Sequence, residues 1–158
     1  MQADDFDEAA FFAAIAASGA RALLIGRRAL VVLGVPVLTA DYDFWLAIDD
    51  IAAFNAAAAT FELRPTKSPE EARRTGRYVL ENDEHVDVLV ARTVTTRMGA
   101  VVQFEELWSR RQSRELAAGA PVHLPTIEDL ILTKQFALRP RDLEDIRVLE
   151  SLKSRGDL

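Results

Sequence analysis

The stretch Thr39-Ala-Asp41-Tyr-Asp43-Phe-Trp-Leu46 has the most chemical content in this sequence. In an extended strand, residues two apart point to the same face with Cα atoms roughly 6.5–7 Å apart. Asp41 and Asp43 therefore project side by side, while Tyr42, Phe44 and Leu46 face the other way. Two carboxylates brought to about 4 Å repel by about 1 kcal/mol in water and by about 4 kcal/mol at a partly buried site. A pair held in a cleft calls for a divalent cation, and hard oxygen ligands suit Mg2+. Two solvated acids at the mouth of a strand are the plain alternative. A second candidate strand, His85-Val-Asp87-Val-Leu-Val90, sets Val86, Val88 and Val90 on one face and Asp87 on the other. If the two strands are neighbours, Asp41, Asp43 and Asp87 converge on one open face. They would then form a ligand set for two metal ions roughly 3.5–4 Å apart, serving an in-line phosphoryl displacement. Taken alone, Asp87 also reads as an edge-strand charge that discourages aggregation.

Other residues could join this chemistry. Gly26 ends one strand and opens a helix, where free N–H groups and the helix dipole suit a phosphate, although a glycine there also serves a tight turn. Lys134 interrupts the apolar stripe Ile127, Leu130, Ile131, Leu138. A buried unpaired ammonium is costly, so Lys134 either meets an anion or snorkels outward. Asp142 and Asp145 share a face in the first turns of the last helix, where acids favour the helix dipole, and Arg139, Arg141 and Arg147 around them suggest an ion-pair cluster. By strand alternation Trp45 shares the Asp41/Asp43 face and could stack a base, though tryptophan is more often core. His85 shares the Asp87 face, as a proton shuttle or a residue of the rim. No Walker A loop, G-x-G-x-x-G or H-E-x-x-H pattern is present, which removes support for P-loop, Rossmann and zincin readings.

The elements that must position these groups follow from periodicity and punctuation. Residues 4–18 read as an amphipathic helix stopping at Gly19. A strand over 22–25 leads to Gly26, a helix runs to Leu33, and a strand spans 42–48. Asp49 or Asp50 caps a helix through the alanine-rich run to Thr60. Residues 64–76 read as a loop and short helix. Strands at 77–81 and 85–90 flank a polar turn, 104–111 is helical and 121–124 extended. Two helices, 126–138 and 141–154, close the chain around Pro140. The expectation is an α+β (mixed α/β) fold with a small mixed sheet, helices mainly on one face and a C-terminal helical pair. The 158 residues fit one domain: an N-terminal helix over 1–19, a sheet-containing core over 20–125 and the helical pair over 126–158.

Composition excludes several classes. With 19 Lys and Arg against 25 Asp and Glu, the net charge of −6 opposes bulk nucleic-acid binding. The absence of cysteine removes disulfides and thiolate zinc sites, which leaves carboxylates as the ligands of any metal. The acidic N-terminus (Asp4, Asp5, Asp7, Glu8) is unlike a signal peptide. Arg27 and Arg28 interrupt the most apolar stretch, so no membrane partner and a cytoplasmic location are expected.

Gly26, the Asp41/Asp43 pair and the later Asp87, taken in this order, resemble the nucleotidyltransferase superfamily with the DNA polymerase β-like fold. The closing segment from Leu130 through Lys134, Arg139, Arg141 and Asp142 to Asp145 resembles the AbiEii-like and minimal nucleotidyltransferases of toxin–antitoxin systems. The likeness covers residues 20–150. It implies Mg2+ at Asp41, Asp43 and Asp87, with two ions when a nucleoside triphosphate is bound. It also implies a triphosphate cradled by Gly26 and the helix after it, a phosphate contact from Lys134, and Asp142 and Asp145 aligning the site. Two positions depart from the pattern. Arg27 replaces a small residue and would obstruct or clamp the phosphates, and Val37 stands near the place of an arginine. The implied activity is transfer of a nucleoside monophosphate to an acceptor hydroxyl on RNA, protein or a small molecule, with a cognate antitoxin protein as a further partner. The alternative is a module of the same fold that binds nucleotide or a protein without turnover.

Overall fold

The computed structural model describes residues 6–116 and 119–155; residues 4 and 5 of the expected first helix lie outside them. Helix α1 (Glu8–Ser18) starts where the Asp7 carboxylate accepts the Ala10 N–H (3.0 Å) and stops at Gly19, whose φ of 77° closes the helix. Strand β1 (Ala22–Ile25) runs straight into α2 (Gly26–Val32), and β2 (Asp41–Leu46) carries the acidic pair. β2 ends earlier than expected, because a 3-10 turn, Ile48–Asp50, precedes α3 (Ile51–Ala59). Asp50 occupies the N-cap position of α3, but its carboxylate makes no capping bond and accepts the backbone N–H of Arg21 instead (3.0 Å).

The chain continues through β3 (Arg64–Pro65), α4 (Pro69–Thr75), β4 (Arg77–Glu81) and β5 (His85–Leu89). A hairpin of β6 (Thr93–Thr95) and β7 (Val101–Gln103) leads into α5 (Phe104–Arg110), and β8 (Gln112–Glu115) pairs antiparallel with β9 (Pro121–Leu124). Helix α6 (Ile127–Lys134) is shorter than its apolar stripe, and α7 (Pro140–Arg155) follows. Two features break the stripe. Leu138 takes a left-handed φ of 54°, and the position before Pro140 is biased away from helical geometry.

The main sheet is mixed, in the order β1-β2-β5-β4-β3, with β2 and β5 parallel and the other pairs antiparallel. Alternation divides it cleanly. Leu24, Tyr42, Phe44, Leu46, Val86, Val88, Tyr78 and Leu80 join the larger core with Phe11, Phe12 and Ile15 of α1 and Ile51 and Phe54 of α3. On the opposite face Leu23, Trp45 and Ala47 are covered by Val102, Phe104 and Leu107. That second cover reaches only part of the face, and the end bearing the acids stays open. Among the described residues no helix is long and apolar enough to cross a membrane.

Candidate nucleotide and metal site

The parallel pairing of β2 with β5 aligns Asp43 with Asp87 and Asp41 with His85. Neighbouring strands lie about 4.8 Å apart and in-register residues share a face, so the three expected acids lie on one side of the sheet. Asp43 is hemmed in most. A Cβ built on Gly26 would stand 2.9 Å from the Asp43 Cβ and closer still to its carboxylate, and Gly26 has a φ of 70°. Only glycine fits this contact, since both the space and the left-handed backbone exclude a side chain. The Asp43 carboxyl is pushed up to about 6, first by burial and then by the charges of Asp87 and Asp41.

Cations face the acids. A cavity of about 440 Å³ is lined by Gly26, Arg27, Asp41, Asp43, Lys134, Arg139 and Arg141. An adjoining one of about 540 Å³ shares most of these and adds Asp87. Lys134, only 6% exposed, meets an anion within the protein itself, with its Nζ 2.8 Å from Asp145 Oδ2. The same buried Asp145 accepts Nε and Nη2 of Arg27, each at 3.2 Å, and a longer bond runs from Arg27 Nη1 to the Leu38 carbonyl (3.5 Å). Arg27 is thereby drawn against α7. Asp142, also buried, accepts the backbone N–H (2.8 Å) and Nε (3.0 Å) of Arg139, which holds its carboxyl below the usual range despite burial. It caps α7 at the same time.

Two other expectations resolve at once. Trp45 is fully buried, donates Nε1–H to the Ala91 carbonyl (2.8 Å) and packs on Phe104 and Phe136, so it is core and no base can stack on it. His85 stands at the rim with Nε2 3.2 Å from Asp87 Oδ2. Arg139 and Arg141 as cleft-lining cations escaped the sequence reading, which treated them only as partners for nearby acids. Their one local signal is that they flank Pro140 ahead of a helix whose first turns carry Asp142 and Asp145.

Among the described residues no group of three or more acidic or imidazole side chains forms a ready-made metal cage. Mg2+ rarely asks for one, because it binds through one or two carboxylates and completes its shell with water and substrate phosphates. The donor set fits that habit: hard oxygens, like charges in register, and in Asp43 a carboxyl pushed up by burial and by the neighbouring charges of Asp87 and Asp41, which a bound cation would offset.

No model of a known protein family matches the chain, and no curated protein matches it. Solved structures do. The antibiotic-resistance factor ANT(2″)-Ia in solution superposes with a TM-score of 0.65 at 15% identity, over 94% of this chain and 83% of that one. The lincosamide antibiotic adenylyltransferase LnuA, lincomycin-bound, gives 0.64 at 13% identity, over 94% and 99%. ANT(2″)-Ia in complex with adenylyl-2″-tobramycin gives 0.62 at 17% identity, over 93% and 88%. At these identities the likeness shows the fold: the chain has the architecture of the nucleotidyltransferases.

Proposed function

We propose that this chain transfers a nucleoside monophosphate from a nucleoside triphosphate to the hydroxyl of a small molecule. The observation that carries the reading is the in-register Asp43–Asp87 pair, with Asp41 beside it, facing a wall of Lys134, Arg139 and Arg141 across one cleft. Asp41, Asp43 and Asp87 would hold Mg2+, which supplies charge neutralisation for the attacking and leaving oxygens. The N-terminus of α2, approached closely because Gly26 lacks a side chain, receives phosphate oxygens. Lys134, oriented by Asp145, and Arg139, oriented by Asp142, meet the triphosphate charge. The acceptor oxygen attacks the α-phosphorus, its proton passes to Asp87, and the bond from the α-phosphorus to the bridging oxygen breaks to release pyrophosphate. Arg27 pairs with Asp145, and in this account it clamps the phosphates from that position.

A small-molecule acceptor is supported by the antibiotic-modifying proteins that share the fold and by the net charge of −6, which disfavours a large RNA footprint. The test is transfer of label from ATP carrying an α-phosphorus label, with Mg2+, to a panel of hydroxylated small molecules. Labelled product from the native chain and none from Asp43→Ala is expected. Nucleotide binding with no transfer to any acceptor would favour a module without turnover.

A second reading, from the Lys134–Asp145 closing segment, is that the activity serves a toxin–antitoxin pair acting in the cytoplasm. It expects growth arrest on expression that Asp43→Ala relieves. Arrest that persists in the variant would end it.

A further inference from the structure

Side chains cross the open face of the sheet in rows. The acidic row runs Ile25, Asp43, Asp87, Val79, and the next runs Leu23, Trp45, Leu89, Arg77. Rows on one face are roughly 6.5–7 Å apart, so a molecule offering a hydroxyl at Asp87 must extend over Leu89 or away from the sheet. The larger cavity extends over Leu89: it reaches Val94 on β6, Phe136 just beyond α6, and Arg77. Phe136 is held with its ring centroid 5.5 Å from that of Trp45, so this wall is apolar and braced by the second core. Among the described residues the Arg77 guanidinium has no hydrogen bond or ion pair, because only the Arg77 carbonyl is engaged, by Lys67 and Thr75.

The carboxylates of this cavity are already committed. Asp41, Asp43 and Asp87 would hold Mg2+ in the reading above, and Asp142 is bound by Arg139. Glu81, on the same face, sits 3.7 Å from His85 and does not border the cavity. An acceptor bearing ammonium groups would find no free carboxylate and would meet Arg77 instead.

From this lining we infer that the acceptor is a hydroxylated small molecule without amino cations, neutral or anionic, its apolar part resting on Leu89, Val94 and Phe136. A negative charge, where the acceptor has one, meets Arg77. The inference rests on the nucleotidyl-transfer reading above.

Three probes on one scaffold test it: 4-nitrophenyl β-glucuronide, the neutral β-glucoside, and the cationic 2-amino-2-deoxy-β-glucoside. Each is titrated by ligand-observed NMR into the full chain holding Mg2+ and a non-hydrolysable ATP analogue. The glucuronide should bind tightest and the aminoglucoside at least about tenfold more weakly. Arg77→Glu should narrow or invert that ratio, and Val94→Asn should weaken the glucoside. Equal or tighter binding of the aminoglucoside, no binding of any probe, or an unchanged ratio in Arg77→Glu would overturn the inference. The same samples separate the two levels. If the ATP analogue binds in an Asp43-dependent way while the probe order fails, only the acceptor inference falls. If the analogue does not bind, the broader reading falls too.

Discussion

The Asp43 carboxyl holds a proton up to about pH 6 because it is buried beside Asp87 and Asp41, whereas in the unfolded chain it ionises near pH 4. Between those values the folded state binds more protons than the unfolded one, so stability falls as pH rises and stays reduced above about pH 6. At roughly 1.4 kcal/mol per pKa unit, the cost at neutral pH is about 3 kcal/mol. Asp43→Asn is therefore expected to stabilise the metal-free protein by about 1–3 kcal/mol at pH 7.5, and to flatten its stability between pH 4 and 6. Urea unfolding at several pH values reads both effects, and a variant less stable than the native chain at pH 7.5 would contradict them. The cation must displace the same proton, so Mg2+ affinity should weaken as pH falls through about 6, and transfer at sub-saturating Mg2+ should decline with it. Gly26→Ala acts in the opposite sense. It forces a Cβ into the Asp43 side chain at a left-handed φ, and it should lose about 1–3 kcal/mol together with nucleotide binding.

At the scale of elements, α7 organises the cleft. Its first turns send Asp142 to Arg139 and Asp145 to Lys134 and Arg27, tying α2, α6 and α7 together through buried charge. Removing one partner of such a pair strands the other, at about 3–5 kcal/mol. Asp145→Ala should destabilise the fold by that amount in thermal or urea unfolding. The double variant Lys134→Met with Asp145→Leu leaves only the partly exposed Arg27 without its Asp145 partner, so it should recover part of the loss without recovering transfer; full activity in it would show that Lys134 does not meet the triphosphate. Strands β2, β4 and β5 were legible because side chains alternate along them, and β1 because a short apolar run stops at Gly26. The β6–β7 hairpin and β8 were not, since strands of three or four residues with exposed alternate positions leave no periodic trace. Helix α6 read too long because Ile127 to Leu138 keeps helical spacing, while the helix itself ends at Lys134 and the chain turns through Gln135 to a left-handed Leu138.

Over the whole molecule, a mixed sheet with a full core on one face and a partial core on the other leaves one corner of the second face uncovered. The uncovered corner is where the acids stand. Local pattern could put Asp41, Asp43 and Trp45 on the same face, but not say which would be covered. That depended on the long-range arrival of Phe104, Leu107 and Phe136 over Trp45 rather than over the acids. The partner of Lys134 was equally invisible, because an anion was required but its identity as Asp145 is a fact of helix packing. The account turns on whether the open corner grips a divalent cation together with a triphosphate, and calorimetric titration of a non-hydrolysable ATP analogue measures that most directly. With Mg2+ present, binding to the native chain should be at least about tenfold tighter than with EDTA, and the Asp41→Ala, Asp43→Ala and Asp87→Ala variants should each lose that Mg2+-dependent gain. Equal affinity with and without Mg2+, or a gain that survives in all three variants, would contradict it.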